Sequence, residues 1–264
     1  MTIPTLSVIT IAFNDLEGLR RTRASVESQQ SVSIDHIIVD GGSTDGTVDY
    51  LRALDGVDWS SEKDNGRYDA MNRGISRAST DLIWLMHAGD TFGDSSSVAK
   101  VLESYSEERW PWAYGFSRVM NASGEMVGYF GFSPFDIRAL ALGTNVVSHQ
   151  AAIFERRLHD EIGRYSEDFG LAADQLYMLK LAMRFPPKVL GEFLNNFDSG
   201  GVGSHRRVGE HIRDMRRARK LVGYSVTGSY TVDSMVSMGM IFWKIVKAVA
   251  KRGLRTIVPG SSPA

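Results

Sequence analysis

The chain has 264 residues and a mass of 29.2 kDa, with 43% hydrophobic and 23% charged residues, a balance that excludes a disordered chain, a fibrous repeat and a polytopic membrane protein. It contains no cysteine, which excludes a disulfide framework, a cysteine-ligated zinc site and a thiol nucleophile. The formal charge of -1 is a cancellation: from His205 onward twelve Lys/Arg face three Asp/Glu, a net +9, which leaves -10 on the first 204 residues.

Met1 to Phe13 lacks the basic start and small-residue cleavage site of a signal peptide. It reads instead as a first strand: Leu6 to Ala12 is a β-branched run, stopped by the turn residues Asn14 and Asp15. A helix is predicted over Leu16–Gln29, a second strand over His36–Val39, a helix over Thr47–Leu54 and a weak third strand over Val57–Ser60. A helix over Tyr68–Ala78 then leads to a fourth strand, Leu82–Met86. This alternation points to βαβ units and a parallel sheet. Further on, the pattern predicts a helix over Asp94–Glu108, a strand over Trp112–Met120 that turns at Asn121–Gly124, and a strand over Ser148–Phe154. A helix over Ala172–Met183 and a late strand over Val189–Phe197 follow, and two helices run from about Val208 with a break near Gly223–Tyr230. The longest apolar stretch, Ser234 to Trp243, is ten residues, well short of the ~20 that a spanning helix needs. A cytoplasmic or membrane-peripheral protein is the expectation.

Ligands of open α/β sheets sit beyond the carboxyl ends of the strands. Here those ends carry Phe13-Asn14, the block Asp40-Gly41-Gly42-Ser43-Thr44-Asp45-Gly46-Thr47, and His87-Ala88-Gly89-Asp90. A single aspartate at a strand end is often a turn-former or helix cap, but three such ends on one sheet edge ask for a shared ligand. The first strand is not followed by the glycines of a dinucleotide fingerprint, and Thr47 stands where a P-loop needs lysine. An aspartate after the second strand is instead suited to a base imide or a ribose hydroxyl, with Phe13 stacking on the base. Asp90 offers a hard oxygen to Mg²⁺ or Mn²⁺, ions that take few protein carboxylates and several phosphate oxygens. Together these suit a metal-bridged nucleoside diphosphate.

The segments Ser7–Asn14, Val39–Thr47, Asp64–Gly74, Ala88-Gly89-Asp90, Ser148-His149-Gln150 and Ala172-Ala173-Asp174, in that order, resemble glycosyltransferase family 2, over roughly residues 5 to 204. The resemblance implies a GT-A fold, an α/β architecture with a Rossmann-like, mostly parallel central sheet flanked by helices. It implies a domain over 1–204, followed by a basic helical extension over 205–264. It further implies an inverting transferase that moves a sugar from a nucleotide-sugar donor to a hydroxyl of a glycan or glycolipid acceptor.

By the same resemblance Phe13, Asp40 and Asp64 line the donor pocket, with Asn72 and Arg73 as weaker donor-site candidates. Asp90 is the metal-binding carboxylate for a divalent cation, Mn²⁺ or Mg²⁺, and Asp174 is the general base. Ala88 departs from the pattern, standing where the metal motif often has a first aspartate. His149 is read either as a strand-end histidine satisfying local groups or as a residue on the acceptor side of the sugar. Asp174 has an alternative as an ordinary helix cap. Gly200–His205 is read as a loop closing over the donor or as a plain connector.

The basic extension lacks an aromatic or groove-reading motif, so nucleic acid is not an expected partner. Its mixture of Met235–Val246 with Lys244, Lys247, Lys251 and Arg252 suits an anionic membrane surface, lying away from the catalytic site. The competing reading is a helix that packs its apolar stripe on the domain. Two other functional classes share part of this pattern. A sugar-phosphate nucleotidyltransferase would carry a glycine-rich basic loop after the first strand, and this chain does not. A lapsed, scaffold-like transferase would fit Ala88, but Asp40, Asp90 and Asp174 are intact.

Overall fold

In the first strand, β1 (Leu6–Ala12), every residue is buried. That is why it reads as a continuous apolar run and not as an alternation: a parallel strand inside a sheet is covered on both faces. A computed structural model describes residues 4–199 and 207–257, with side chains described as far as Lys247. In it β1 lies between β2 (Ile34–Asp40) and β4 (Leu82–His87), with β3 (Asp58–Ser61) beyond β2, all parallel. The helices α1 (Leu16–Glu27), α2 (Thr47–Arg52) and α3 (Arg67–Arg77) make the crossovers. Gly74 lets α3 sit directly on β1, since a Cβ there would come within 2.3 Å of Ile9 Cγ2.

The second half of the sheet reverses direction. After β5 (Thr91–Phe92) and α4 (Ser97–Glu107) come β6 (Trp112–Met120) and β7 (Met126–Phe130), and later β8 (Ala152–Glu155) and β9 (Lys188–Asp198). The strand order is β3-β2-β1-β4-β8-β6-β9-β5, with β7 paired to β6. β8 is antiparallel to both β4 and β6, β9 is parallel to β6, and β5 is antiparallel to β9. The helical segments of this half are α5 (Ile137–Ala141), a 3₁₀ turn over His149–Ala151, α6 (Arg157–Ile162), a second 3₁₀ turn over Glu167–Phe169, and the longer α7 (Ala173–Arg184). Trp84, Trp112, Tyr114, Phe154 and Tyr177 are buried between the layers.

Three expectations need correction. The strand expected over Ser148–Phe154 begins only at Ala152, because His149–Ala151 form a 3₁₀ turn. β5, β7, α5 and α6 were not anticipated; β5 has two residues, and β7 is exposed on both faces, so neither carries a readable period. The C-terminal helices α8 (Val208–Val222) and α9 (Tyr230–Ile257) are not set apart from the preceding domain. They dock on the end of α5 and the residues after it: His211 meets the Gly143 carbonyl, Arg219 donates to Ala141 O, Ser237 to Leu142 O and Lys244 to Thr144 O. The Gly200–His205 loop lies outside the described residues.

Arg219 and Asp233 hold α8 to α9. Both side chains are fully buried, and Asp233 also accepts from Ser225 Oγ, Val226 N, and the Thr227 amide and hydroxyl. Removing one member strands the other charge in the interior. Asp233→Ala is therefore expected to destabilise the fold by about 3–5 kcal/mol, read as a lowered denaturation midpoint. An unchanged midpoint would contradict this role.

Candidate active site

A cavity of about 990 Å³ opens at the carboxyl ends of β1 and β4, where the strand order turns back on itself. The loop after β1 supplies one wall. Asn14 has a left-handed backbone, φ 49°, a conformation asparagine tolerates better than most residues. Its amide donates to Ser43 Oγ at 2.7 Å, and its Oδ1 accepts from Thr44 N at 2.9 Å, which ties the β1 loop to the β2 loop. Phe13 is left 63% exposed at the cavity edge, with a ring face free to stack. Opposite stands Asp64, whose Oδ1 accepts from Gly66 N at 2.9 Å. Gly41 passes between the two. A Cβ there would lie 2.6 Å from Asp64 Oδ2 and 3.2 Å from Phe13 Cδ2, so the slot depends on the missing side chain.

The structure does not bring Asp40, Asn72 and Arg73 to this cavity; all three line a separate pocket of about 320 Å³. Asp40 is fully buried, and its carboxylate accepts from Gly42 N, Ser43 N, Ser43 Oγ and Ser61 Oγ. Its bonds shape the glycine-rich turn behind Phe13. Asn72 exchanges two hydrogen bonds with the backbone of Tyr165, at 2.9 and 3.0 Å. Arg73 pairs with Asp69 at 2.7 Å, an i,i+4 pair on α3. In these bonds Asp40, Asn72 and Arg73 brace the turn after β2 and the helix α3.

Asp90, Asp174 and His149 do converge. Asp90 is 2% exposed; Oδ1 accepts from Asp198 N at 3.0 Å and Oδ2 from His87 N at 3.3 Å. Burial pushes its carboxyl up to about 6, against the opposing pull of those backbone bonds, of His149 and of Gln150. Asp174 begins α7, and its Oδ1 accepts from Gln175 N at 2.8 Å. Its Oδ2 lies 3.2 Å from Gln175 Nε2 and 3.4 Å from His149 Nδ1. Burial opposes its ionisation, but the bond and charge of His149 and the bonds from Gln175 prevail, leaving its carboxyl below the usual value.

Four residues beyond the named site candidates, His87, Tyr68, Arg67 and Arg21, complete the cluster. His87 Nε2 lies 3.1 Å from His149 Nε2, so the two rings share a hydrogen. Burial, then the charges of His149 and Arg67, press His87 well below the usual histidine value. The Tyr68 hydroxyl donates to Leu171 O at 3.0 Å and lies 3.5 Å from Asp174 Oδ1; burial and the Asp174 charge push it up, so it stays a donor. Arg67 and Arg21 put cationic side chains on the cavity wall. One signal for His87 was legible: a polar ring closing the otherwise apolar run Leu82–Met86 at a strand end. Nothing marked Tyr68 as a partner of Asp174, since 106 residues separate them. The tail was expected to lie away from the site. It does not, since Val208 and His211 of α8 and Ile241 of α9 line the cavity.

The Glycosyl transferase family 2 model matches residues 7–163. An uncharacterised glycosyltransferase of Mycobacterium tuberculosis is 43% identical over 221 residues, covering 81% of this chain and 82% of that protein. The chain belongs to glycosyltransferase family 2. It is an enzyme of that family by sequence, and a more distant relative, a PGL/p-HBAD biosynthesis glycosyltransferase of Mycobacterium bovis, is 28% identical over 66% of this chain and 68% of its own length. Among solved structures, S. aureus TarS 1-349 in complex with UDP-GlcNAc superposes with a TM-score of 0.67 at 15% identity, over 87% of this chain and 69% of that one. A mannosyltransferase of Pyrobaculum calidifontis in complex with GDP-Man and Mn²⁺ gives 0.64 at 15% identity, over 98% and 77%. The chain spans only 41% of the longer TarS chain. These likenesses establish the GT-A type of fold for the family 2 chain.

No group of three or more His, Asp and Glu side chains able to hold a metal stands together among the described residues. A divalent cation in this cavity would have to draw most of its ligands from a bound molecule such as a diphosphate, with Asp90 as one carboxylate in reach. The buried, high-lying carboxyl of Asp90 is consistent with that, since a cation would relieve its unfavourable ionisation.

Proposed function

We propose that this enzyme transfers a sugar from a nucleoside-diphosphate donor to a hydroxyl of a glycan or lipid-linked acceptor, with inversion in one displacement and Asp174 as general base. The observation that carries the reading is the placing of Asp174, an ionised carboxylate held by Gln175 and His149, in the same cavity as the Phe13–Asp64 slot and Asp90. The base would stack on Phe13 beside Gly41 and Asp64, and the diphosphate would lie near Asp90, with Arg67 and Arg21 on the walls. Asp90 would hold a divalent cation there, which would supply charge neutralisation for the leaving diphosphate.

The acceptor oxygen forms its bond to the anomeric carbon as the bond to the diphosphate breaks. The hydroxyl proton passes to Asp174, which is ionised at neutral pH and therefore able to take it. His149 orients that carboxylate through Nδ1, and its other nitrogen is fixed by His87. The basic extension and the lack of any described helix long and apolar enough to cross a membrane agree with work in the cytoplasm at an anionic membrane face.

A thermal-shift series with UDP, GDP, ADP, CDP and TDP, each with and without Mn²⁺, tests the reading. One base is expected to raise the melting temperature by about 5 °C or more at a hundred times its Kd, and to do so better with Mn²⁺. No response to any nucleotide would overturn it.

A further inference from the structure

Asp174 is surrounded by donors. Gln175 N lies 2.8 Å from its Oδ1, and Gln175 Nε2 and His149 Nδ1 lie 3.2 and 3.4 Å from its Oδ2. These bonds favour the anion and, with the charge of His149, hold the carboxyl below its usual value against burial. A carboxylate made this stable is a weak base, and none of the three bonds helps it once a proton has arrived.

Tyr68 offers the acid form what those donors do not. Its hydroxyl has one hydrogen and two neighbours that can take it, Leu171 O at 3.0 Å and Asp174 Oδ1 at 3.5 Å. The nearer carbonyl takes the hydrogen, which leaves the lone pairs of Oη turned to Asp174. They give the carboxylate nothing, but they accept a hydrogen bond from a protonated Oδ1. The fold holds Tyr68 to this arrangement. Its ring is buried and stacks on Tyr165 at 6.0 Å and 11°, and Tyr165 stacks on Tyr177 at 3.9 Å and 12°. The far end of the stack is fixed as well, with the Tyr177 hydroxyl 3.3 Å from His159 Nδ1. Asn72, one turn beyond Tyr68 on α3, clamps the Tyr165 backbone with two hydrogen bonds. Asn72 thus bears on the base at one remove, through Tyr165 and Tyr68.

We propose that Tyr68 is a positioning residue of the transfer: with its own hydrogen on the Leu171 carbonyl, it accepts a hydrogen bond from Asp174 as that carboxylate takes the acceptor's proton. The proton moves from the acceptor hydroxyl to Asp174 Oδ1, and the electron pair it leaves forms the bond to the anomeric carbon. The diphosphate departs with the pair of the broken bond, and Tyr68 keeps its hydrogen throughout. The part in transfer rests on the transferase reading; the direction of the Tyr68–Asp174 bond does not.

Carbon-13 NMR of the full chain labelled at the aspartate carboxyls reads that direction without a substrate, Asp174 being the signal that Asp174→Asn lacks. The titratable groups that bear on Asp174 are His149, with His87 behind it, and Tyr68 and Tyr165 on the other side. Arg67 is the cation acting on Tyr68, and His211 of α8 lines the same cavity. In His149→Ala, burial is expected to raise the Asp174 carboxyl into a range where the folded chain can be titrated. In that background Tyr68→Phe, which keeps the ring and its stack, is expected to make Asp174 bind its proton about fivefold more weakly, the loss of one hydrogen bond to the acid. Tighter proton binding would mean that Tyr68 donates to the carboxylate, and unchanged binding that the two are not bonded; either overturns the proposal. A second arm leaves His149 in place. There Tyr68→Phe is expected to lower single-turnover transfer about fivefold, with nucleoside diphosphate affinity and melting temperature unchanged. Wild-type turnover, or a loss of affinity or melting temperature in step with turnover, would overturn the positioning role. The expected NMR change in a chain whose wild type transfers no sugar would keep the bond and overturn the transferase reading.

Discussion

Asp174→Asn is expected to lower kcat by about 10²–10⁴, the usual contribution of a positioned general base, while donor Kd changes less than about threefold. The geometry separates the two quantities. Asp174 is on α7, across the cavity from the Phe13–Asp64 slot, and its own bonds run to Gln175 and His149. Asparagine keeps the oxygen that accepts from Gln175 N, so the start of α7 holds its shape. What is lost is the negative charge that takes the proton and faces His149. The measurement is single-turnover transfer alongside nucleotide titration of the same preparation. Wild-type turnover in the variant would eliminate Asp174 as base; lost turnover with equally lost donor affinity would assign it to binding instead.

The pH dependence follows from which carboxyl is held where. Asp174 sits below its usual value, so it is ionised throughout the neutral range and does not set the acidic limb of the rate profile. Asp90, pushed up to about 6 in the protein without ligand, is the carboxyl whose ionisation falls near the neutral range. Two aspartates in one cavity thus have separate environments: one is stabilised as an anion by a histidine and an amide, the other is surrounded by backbone donors too few to offset its burial.

The parallel half of the fold was legible because β1, β2 and β4 are buried on both faces and write themselves as unbroken apolar runs with turn residues at their ends. The reversed half was less so. β7 has no buried face, and the order in which β8, β6 and β9 pair is fixed by long-range contacts that no local pattern encodes. In the site, Asp90, Asp174 and His149 were found by their place in a family pattern, and they do share the cavity. Asp40, Asn72 and Arg73 belong to the same pattern and line a neighbouring pocket. The bonds that hold them there, such as the four that the Asp40 carboxylate accepts, are not written in any local pattern. The orientation of α9 stays open in the sequence for a related reason. A helix with apolar bulk and basic residues can turn either side to the domain, and the deciding groups are small ones, Ser237 against the Leu142 carbonyl and Asp233 against Arg219.

Asp90→Ala is expected to remove the Mn²⁺ dependence of nucleotide binding and most turnover, and at the same time to change how stability responds to pH. The sign follows from the raised carboxyl. A folded value of about 6 against an unfolded value of 3.8 means that the folded chain holds this proton longer. The associated stability is fully present below the unfolded value and is lost as pH rises through about 6, a difference of about 3 kcal/mol for this group alone. With its cavity free of ligand, the wild type should therefore lose stability relative to Asp90→Ala between pH 4 and pH 7, the gap opening over that window and flattening above it. Adding Mn²⁺ to the preferred nucleoside diphosphate should restore the wild type at pH 7 and give the variant nothing beyond what the nucleotide alone gives, because the cation favours the ionised carboxylate that burial opposes. Parallel melting curves for the two chains across pH 4–8, with and without Mn²⁺ and nucleotide, read both effects. A constant gap would remove the raised carboxyl, and equal rescue of both chains by Mn²⁺ would remove Asp90 from the metal.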